Sequence, residues 1–553
     1  MKKVLLISIM IFLCAFNIIF IAGTPSQDLE EGIKKKDAKM IKKAVEQLVQ
    51  QNDEKALDSL TSALNKLATP PEPLAYWEIL GGISRFTNKD VISKVTTFIL
   101  NNKNKDLRSD LLAAMKNNRT STVIPLLSSL LEKGSYEMQS ECIHQLGAIH
   151  IKESLDALFN FLRPFKDDDT KDITKGPLIK DTIYALKGMT GIDRGTYPAA
   201  WILWWDENKN KDTSELIRPK KVTGNIETVR DYRDMTGMET LDKDTILVLR
   251  NDKCKPEGCG SDCNFDRIED ILERLNIPHT VVGKSEFDKE SYSLDDKWAL
   301  AINCNQFLEH CTNPEHRKMK PTGQDGGVRL GVCPGSSQGN CNQHNTKLSE
   351  KTIKKITQFV ETGGYLFTED LEIEEVIERA FKVPKYIGHT KYLPDKQVKI
   401  LPAPGAALHH YLKYVFEAPP SISAQNPSSE GTSGETTSVK PKDFRIDAEW
   451  KIDDESPDIK ILNKEKVTIL IVSPQVAKEN KNEGAVAVTW SYSKLGPTLT
   501  GSDKPTMLPG GKVLHVMSHF GKQRSKLDEF ALQNLLVNFF IELNEQRPKA
   551  KKK

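Results

Sequence analysis

Residues 361–370 read ETGGYLFTED. Gly363 and Gly364 stop the amphipathic run LSEKTIKKITQFV (348–360), and a short apolar segment follows that ends in two acids, Glu369 and Asp370. A helix stopped by glycine and followed at once by a strand of buried type is half of a βαβ unit. Upstream lie three more short apolar runs, DTILVLRN (244–251), HTVVG (279–283) and KWALAINC (297–304). The amphipathic stretch FDRIEDILERLNIP (265–278) separates the first two. Downstream come EIEEVIERAF (372–381) and YLKYVF (411–416), both read as helices. The runs VTILIVS (467–473), AVAVTWSY (485–492) and KVLHVMSHF (512–520) then supply strands, and a helix over about 527–543 closes the domain. Strands alternating with helices predict a mainly parallel sheet covered on both faces, over residues 244–545. Ser421 to Lys442 is rich in Ser, Thr, Gly and Pro and reads as a disordered insertion.

Before residue 209 the period is different. From Leu29 to Asn208 apolar residues recur at three and four residue intervals, and strand-like alternation is absent. The helical segments starting at Val91, Val123 and Ser154 lie 32 and 31 residues apart, with partner helices starting at Leu74, Asp106 and Tyr136 between them. Helix pairs at this period resemble HEAT or armadillo-like solenoids, whose repeats bury their apolar faces only by stacking. The array, 26–208, ends in AAWILWWDENK, where Trp201 and Trp205 share a face that is expected to be buried in a capping helix. Residues 209–243 are polar and read as the linker.

Residues 1–23 have the order of an export signal. Lys2 and Lys3 precede the apolar stretch Val4 to Ala22, and Gly23, Thr24 and Pro25 follow. At 19 residues this stretch is also just long enough to span a bilayer, so a cleaved signal and an N-terminal membrane anchor are both expectations. Ile11, Phe12 and Leu13 before Cys14 are too bulky for a lipoprotein signal. The full chain has 553 residues, 38% hydrophobic and 28% charged, as expected of two to four soluble domains. Its 78 Lys and Arg against 76 Asp and Glu leave no basic excess for a nucleic-acid backbone, and the one basic run is the tail within 546–553.

The second half resembles the class I glutamine amidotransferase-like fold, a flavodoxin-like arrangement, and in particular bacterial domains of unknown function that share it. ETGGYLFTED carries the resemblance, together with GGKVLHVMSHFGKQ (510–523) and EFALQNLLVNFF (529–540). It implies a catalytic histidine at the end of the last strand with an acid two residues later, and a cysteine on a Gly-x-Cys-x-Gly elbow. His519 matches the histidine, but Gly521 stands where the acid belongs, and Cys304 follows a strand but stands between Asn303 and Asn305, without the elbow pattern. Glu369 and Asp370 are candidates for binding a cation or ligand at the strand end, although capping of the next helix is the commoner use of such acids.

Seven of the nine cysteines crowd into this half. Cys142 reads as a buried free thiol on a repeat helix. Cys254, Cys259, Cys263, Cys311, Cys333 and Cys341, in the loops 254–263 and 304–347, read as a disulfide framework suited to an oxidising compartment, with Cys304 left as the odd thiol. Their spacings fit no paired Cys-x-x-Cys zinc site and no haem attachment, so neither a metal nor any other cofactor is expected. His409 and His410 show no metal-ligand spacing either.

The leading expectation is an exported, non-catalytic interaction protein that takes a protein partner on its helical repeats. A hydrolase or thiol enzyme using Cys304 and His519 is the second reading. A metal-binding module formed by the Cys/His-rich loops, with His310, His316 and His344, is the third.

Overall fold

The computed structural model describes residues 24–67, 73–172, 174–217, 241, 245–250, 268–304, 348–417, 445–492 and 510–546. The apolar stretch Val4 to Ala22, the six candidate disulfide cysteines, the insertion 421–442 and the basic tail lie outside them. The chain divides into two compact units, Met1–Lys220 and Lys221–Lys553. No helix among the described residues is long and apolar enough to cross a membrane.

The first unit is helical throughout. Its longer helices among the described residues are α1 Pro25–Lys35, α2 Ala38–Gln51, α3 Glu54–Leu67, α4 Pro73–Ile83, α5 Lys89–Asn101, α6 Lys105–Ala114, α7 Ile124–Lys133, α8 Tyr136–Ala148, α9 Lys152–Leu162, α10 Lys175–Thr190 and α11 Pro198–Asn208. Asp37, Asn88 and Asn104 cap α2, α5 and α6 by accepting from the first free backbone N–H groups. Each helix packs on the next but one, and most pack on the next as well.

Hydrogen bonds link positions about one repeat apart. Asn52 accepts from the Thr87 N–H (3.1 Å), Tyr76 Oη donates to Asp110 (2.9 Å), Asn118 donates to the Phe86 carbonyl (2.6 Å), and Gln145 donates to the Leu112 carbonyl (2.7 Å). Those partners are 35, 34, 32 and 33 residues apart, so polar as well as apolar contacts repeat along the stack. Burial and the Asp110 charge hold the Tyr76 hydroxyl protonated, which keeps it a donor. Trp201, Trp204 and Trp205 are all buried around Phe159, and Cys142 is a buried free thiol.

The second unit is built on one eight-stranded sheet. Its strands are β1 Ile246–Arg250, β2 Thr280–Gly283, β3 Ala299–Ile302, β4 Tyr365–Glu369, β5 Leu401–Pro402, β6 Val467–Val472, β7 Ala485–Ser491 and β8 Lys512–Val516. They lie in the order β2-β1-β3-β4-β8-β7-β6-β5. The first five run parallel to one another and the remaining three pairings are antiparallel, so the sheet is mainly parallel as expected. β6 and β7 are joined through α14 Pro474–Asn480 and pair antiparallel. β1 and β3 are buried almost along their whole length, as continuous apolar strands of a parallel sheet are.

α12 Ile268–Arg274, α13 Glu350–Glu361 and α15 Lys526–Gln546 accompany the sheet. Tyr365 and Phe367 of β4 meet Phe539 of α15 at 5.1 and 6.5 Å between ring centroids. The glycines of the opening motif have a steric reason. Gly363 sits at φ 107°, and a side chain on Gly511, just before β8, would come within 1.8 Å of the Gly364 carbonyl oxygen.

Two helices expected between β4 and β6 form differently. Residues 373–380 make a π turn, Ile373–Ile377, and a short α turn, Glu378–Ala380. Residues 411–416 do not make a helix. Only the 3₁₀ turn His410–Leu412 forms, because the carbonyls of Tyr411 and Lys413 accept from Asn538 (both 2.8 Å) and that of Tyr414 from Asn534 (3.2 Å), both asparagines on α15.

At the foot of α15, Glu542 is buried with Lys512, Tyr411 and His410 around its carboxylate. Burial alone would raise its pKa, but hydrogen bonds from His410, Lys512 and Tyr411 outweigh it and hold the carboxyl at about 2. Because the folded value lies below that of an ordinary glutamate, the stabilisation is complete above about pH 4.5 and is lost as pH falls toward 2. Denaturant midpoints between pH 6 and 2.5 are expected to fall more steeply for wild type than for Glu542→Gln. Parallel slopes would refute this.

Candidate functional site

The carboxyl ends of β3, β4 and β8, neighbours in the sheet, carry the three groups of interest. Cys304 lies two residues beyond β3, Asp370 one beyond β4 and His519 three beyond β8. Parallel strands in register deliver their ends to one edge, where clefts of open α/β sheets form.

Each position is fixed by its surroundings. Asn303, buried beside Cys304, accepts from the Ile268 N–H at the start of α12 (2.9 Å) and donates to Glu269 (2.8 Å). The residue just before Cys304 is thus committed as a remote helix cap. Asp370 donates its backbone N–H to the Val516 carbonyl (2.8 Å) and sits at φ 42°, a left-handed conformation uncommon for a residue with a side chain. His519 is held by Gln523, whose amide donates to the His519 carbonyl (2.7 Å) and to Ser518 Oγ (2.9 Å). The following Phe520 packs 6.0 Å from Phe367.

Asp370 is the centre of the group. His519 Nε2 lies 2.9 Å from Asp370 Oδ2, and Cys304 Sγ donates to the same oxygen at 3.9 Å. The three side chains are buried, at 0% exposure for Cys304 and His519 and 4% for Asp370. Their donor atoms all lie within 4.8 Å of one another. Asp370 Oδ1, also buried, has no hydrogen-bond partner among the described residues.

Cys304 and His519, the candidate catalytic pair, are therefore brought together. The acid missing at Gly521 is supplied by Asp370, 149 residues from His519, whose side chain turns to the histidine instead of capping a helix. Its neighbour Glu369, the other binding candidate, is fully buried at the end of β4 and lies outside the group. No metal was expected, yet thiol, carboxylate and imidazole meet here, and their chain positions, 304, 370 and 519, carry no spacing by which they could be recognised. His409, read without a role, caps the turn after it by accepting from the Tyr411 N–H (3.2 Å). His515, on β8, was not singled out from the sequence. It pairs with Thr368 Oγ1 at 3.0 Å, and burial pushes its pKa down to about 3, so it is neutral. Gln523 was also missed, since a polar residue after a strand has no distinctive pattern.

No protein-family model matches the chain, and neither does any curated protein. The functional reading rests on chemistry. A thiol nucleophile needs an imidazole free to take its proton and an acid behind that imidazole. Here one carboxylate oxygen contacts both the sulfur and the imidazole nitrogen, and a carboxylate so placed repels the negative charge of a thiolate.

Proposed function

We propose that this is an exported interaction protein, a HEAT-like helical solenoid that takes a protein partner, joined to an amidotransferase-like domain without the hydrolytic chemistry of that fold. The observation that carries the reading is the central place of Asp370, which occupies His519 Nε2 and faces the Cys304 sulfur while all three groups are buried. The hydrogen bonds at the repeat period support a stack that is continuous and offers an extended surface. The basic start and apolar run of residues 1–23 support export.

Cys142 supplies an internal standard for the test, because it is equally buried and its thiol is pushed up by that burial. Native protein is treated with iodoacetamide and the modified cysteines are mapped by mass spectrometry. Cys304 is expected to react no faster than Cys142. Faster labelling of Cys304 that disappears in His519→Ala would overturn the non-catalytic reading and establish a thiol enzyme.

A further inference from the structure

We propose that Cys304, Asp370 and His519 form a binding site for a divalent transition-metal ion of the zinc type. The proposal stands on side-chain geometry and does not depend on the interaction reading. Its starting point is the mutual approach of three different donors, a sulfur, a carboxylate and an imidazole nitrogen, with all donor atoms within 4.8 Å. Around a tetrahedral zinc ion, donors at their usual bond lengths stand roughly 3.3 to 3.6 Å from one another. The separations of 2.9 Å (Nε2 to Oδ2) and 3.9 Å (Sγ to Oδ2) bracket that range, so small side-chain adjustments seat an ion among them.

The second observation is Asp370 Oδ1. It is a buried carboxylate oxygen with no hydrogen-bond partner among the described residues, although its sister oxygen is engaged by both neighbours. An orphaned acceptor of this kind has lost its water without gaining a partner, and native structures seldom leave one without use. With an ion in place, Oδ2 serves as the carboxylate donor beside Sγ and Nε2, and Oδ1 gains the cation as a neighbour through a second, narrow-bite contact.

Charge points the same way. A thiolate and a carboxylate buried side by side repel each other, whereas a dication held by both and by a neutral imidazole makes a site of zero net charge. The donor set selects among ions as well. Thiolate and imidazole favour zinc, cobalt or ferrous iron and disfavour magnesium and calcium, which take oxygen ligands alone. The backbone has the organisation of a prepared site. Asp370 is held in a left-handed conformation by its bond to Val516, and the segment carrying His519 is tied down by Gln523. The three side chains are buried, so the ion enters as the chain folds.

The test uses full-length protein stripped with chelator, refolded with Co²⁺ and read by the sulfur-to-cobalt charge-transfer absorption. One equivalent of Co²⁺ is expected to bind. Cys304→Ser is expected to abolish the band, and His519→Gln, which retains every cysteine, to weaken binding by at least about 100-fold, the upper end of what loss of an outer-shell partner does. X-ray absorption on the zinc-loaded wild type is expected to show one sulfur per ion, with oxygen or nitrogen completing the shell. That measurement stands even if a variant fails to fold. Absence of the band in wild type, a band unchanged in His519→Gln, or two or more sulfurs per ion would each overturn the proposal, the last two by placing the ion on the cysteines of the loops.

Discussion

Asp370→Ala is expected to lower the stability of the α/β unit by about 3–5 kcal/mol, measured as the denaturant midpoint in the presence of chelator. Asp370 and His519 form a pair at 2.9 Å with side-chain exposures of 5% and 0%. Removing the carboxylate strands a buried imidazole beside the Cys304 sulfur. The loss is larger than for a surface pair because water cannot replace the missing partner. Backbone conformation adds a second, separable effect. At φ 42° any residue with a Cβ is strained by roughly 1–2 kcal/mol, a strain that alanine keeps and glycine relieves. Asp370→Gly is therefore expected to be less damaging than Asp370→Ala by about 1 kcal/mol, although it removes more atoms. In a double-mutant cycle, adding His519→Ala to Asp370→Ala is expected to cost much less than His519→Ala alone. A full additive cost, or glycine ranking below alanine, would refute this account of the pair.

Phe159→Ala is expected to be as severe in the helical unit, at about 3–5 kcal/mol. Phe159, on α9, is fully buried and stacks on Trp205 of α11 with ring centroids 4.5 Å apart and planes 7° apart. Trp204 and Trp201 lie 6.0 and 6.5 Å away, so one ring holds the whole tryptophan-bearing helix. Stacked repeats depend on nearest-neighbour interfaces, so damage at this end should remain at this end. Hydrogen exchange is expected to quicken in α10 and α11 and to stay unchanged in α1 to α4. Leu203→Ala, on the same helix but 64% exposed, is expected to change stability by less than about 0.5 kcal/mol. Uniform loss of protection along the unit would show that it does not behave as a stack.

The fold was legible wherever burial forces a simple pattern. β1, β3, β4, β6, β7 and β8 all fall within apolar runs visible in the chain, since a strand covered on both faces has few polar positions. The helix pairs were legible for a similar reason, as each repeats one apolar face. What escaped was short or decided from a distance. β5 and the small antiparallel pairs around residues 387–399 and 449–461 have two to four residues per strand, too few for alternation to register. The 411–416 segment has the apolar content of a helix, but asparagines more than 100 residues away on α15 take its carbonyls.

The export-type start at residues 1–23, the change of period near residue 209 and the seven cysteines of the second half are properties of the linear chain. So is the placing of Cys304, Asp370 and His519 at strand ends, because a strand is recognised by its neighbours in sequence. The junction of the three was decided by tertiary structure alone. It depends on strand order β3-β4-β8, which brings residues 66 and 149 positions from Asp370 to one edge of the sheet. It depends also on a left-handed backbone at Asp370, which turns the carboxylate toward the other two. Local sequence records which residues are apolar and where the chain turns. It does not record which strand lies beside which, and it is that adjacency, set by packing across the whole sheet, that turned an acid read as a binding candidate or a helix cap into the centre of a site.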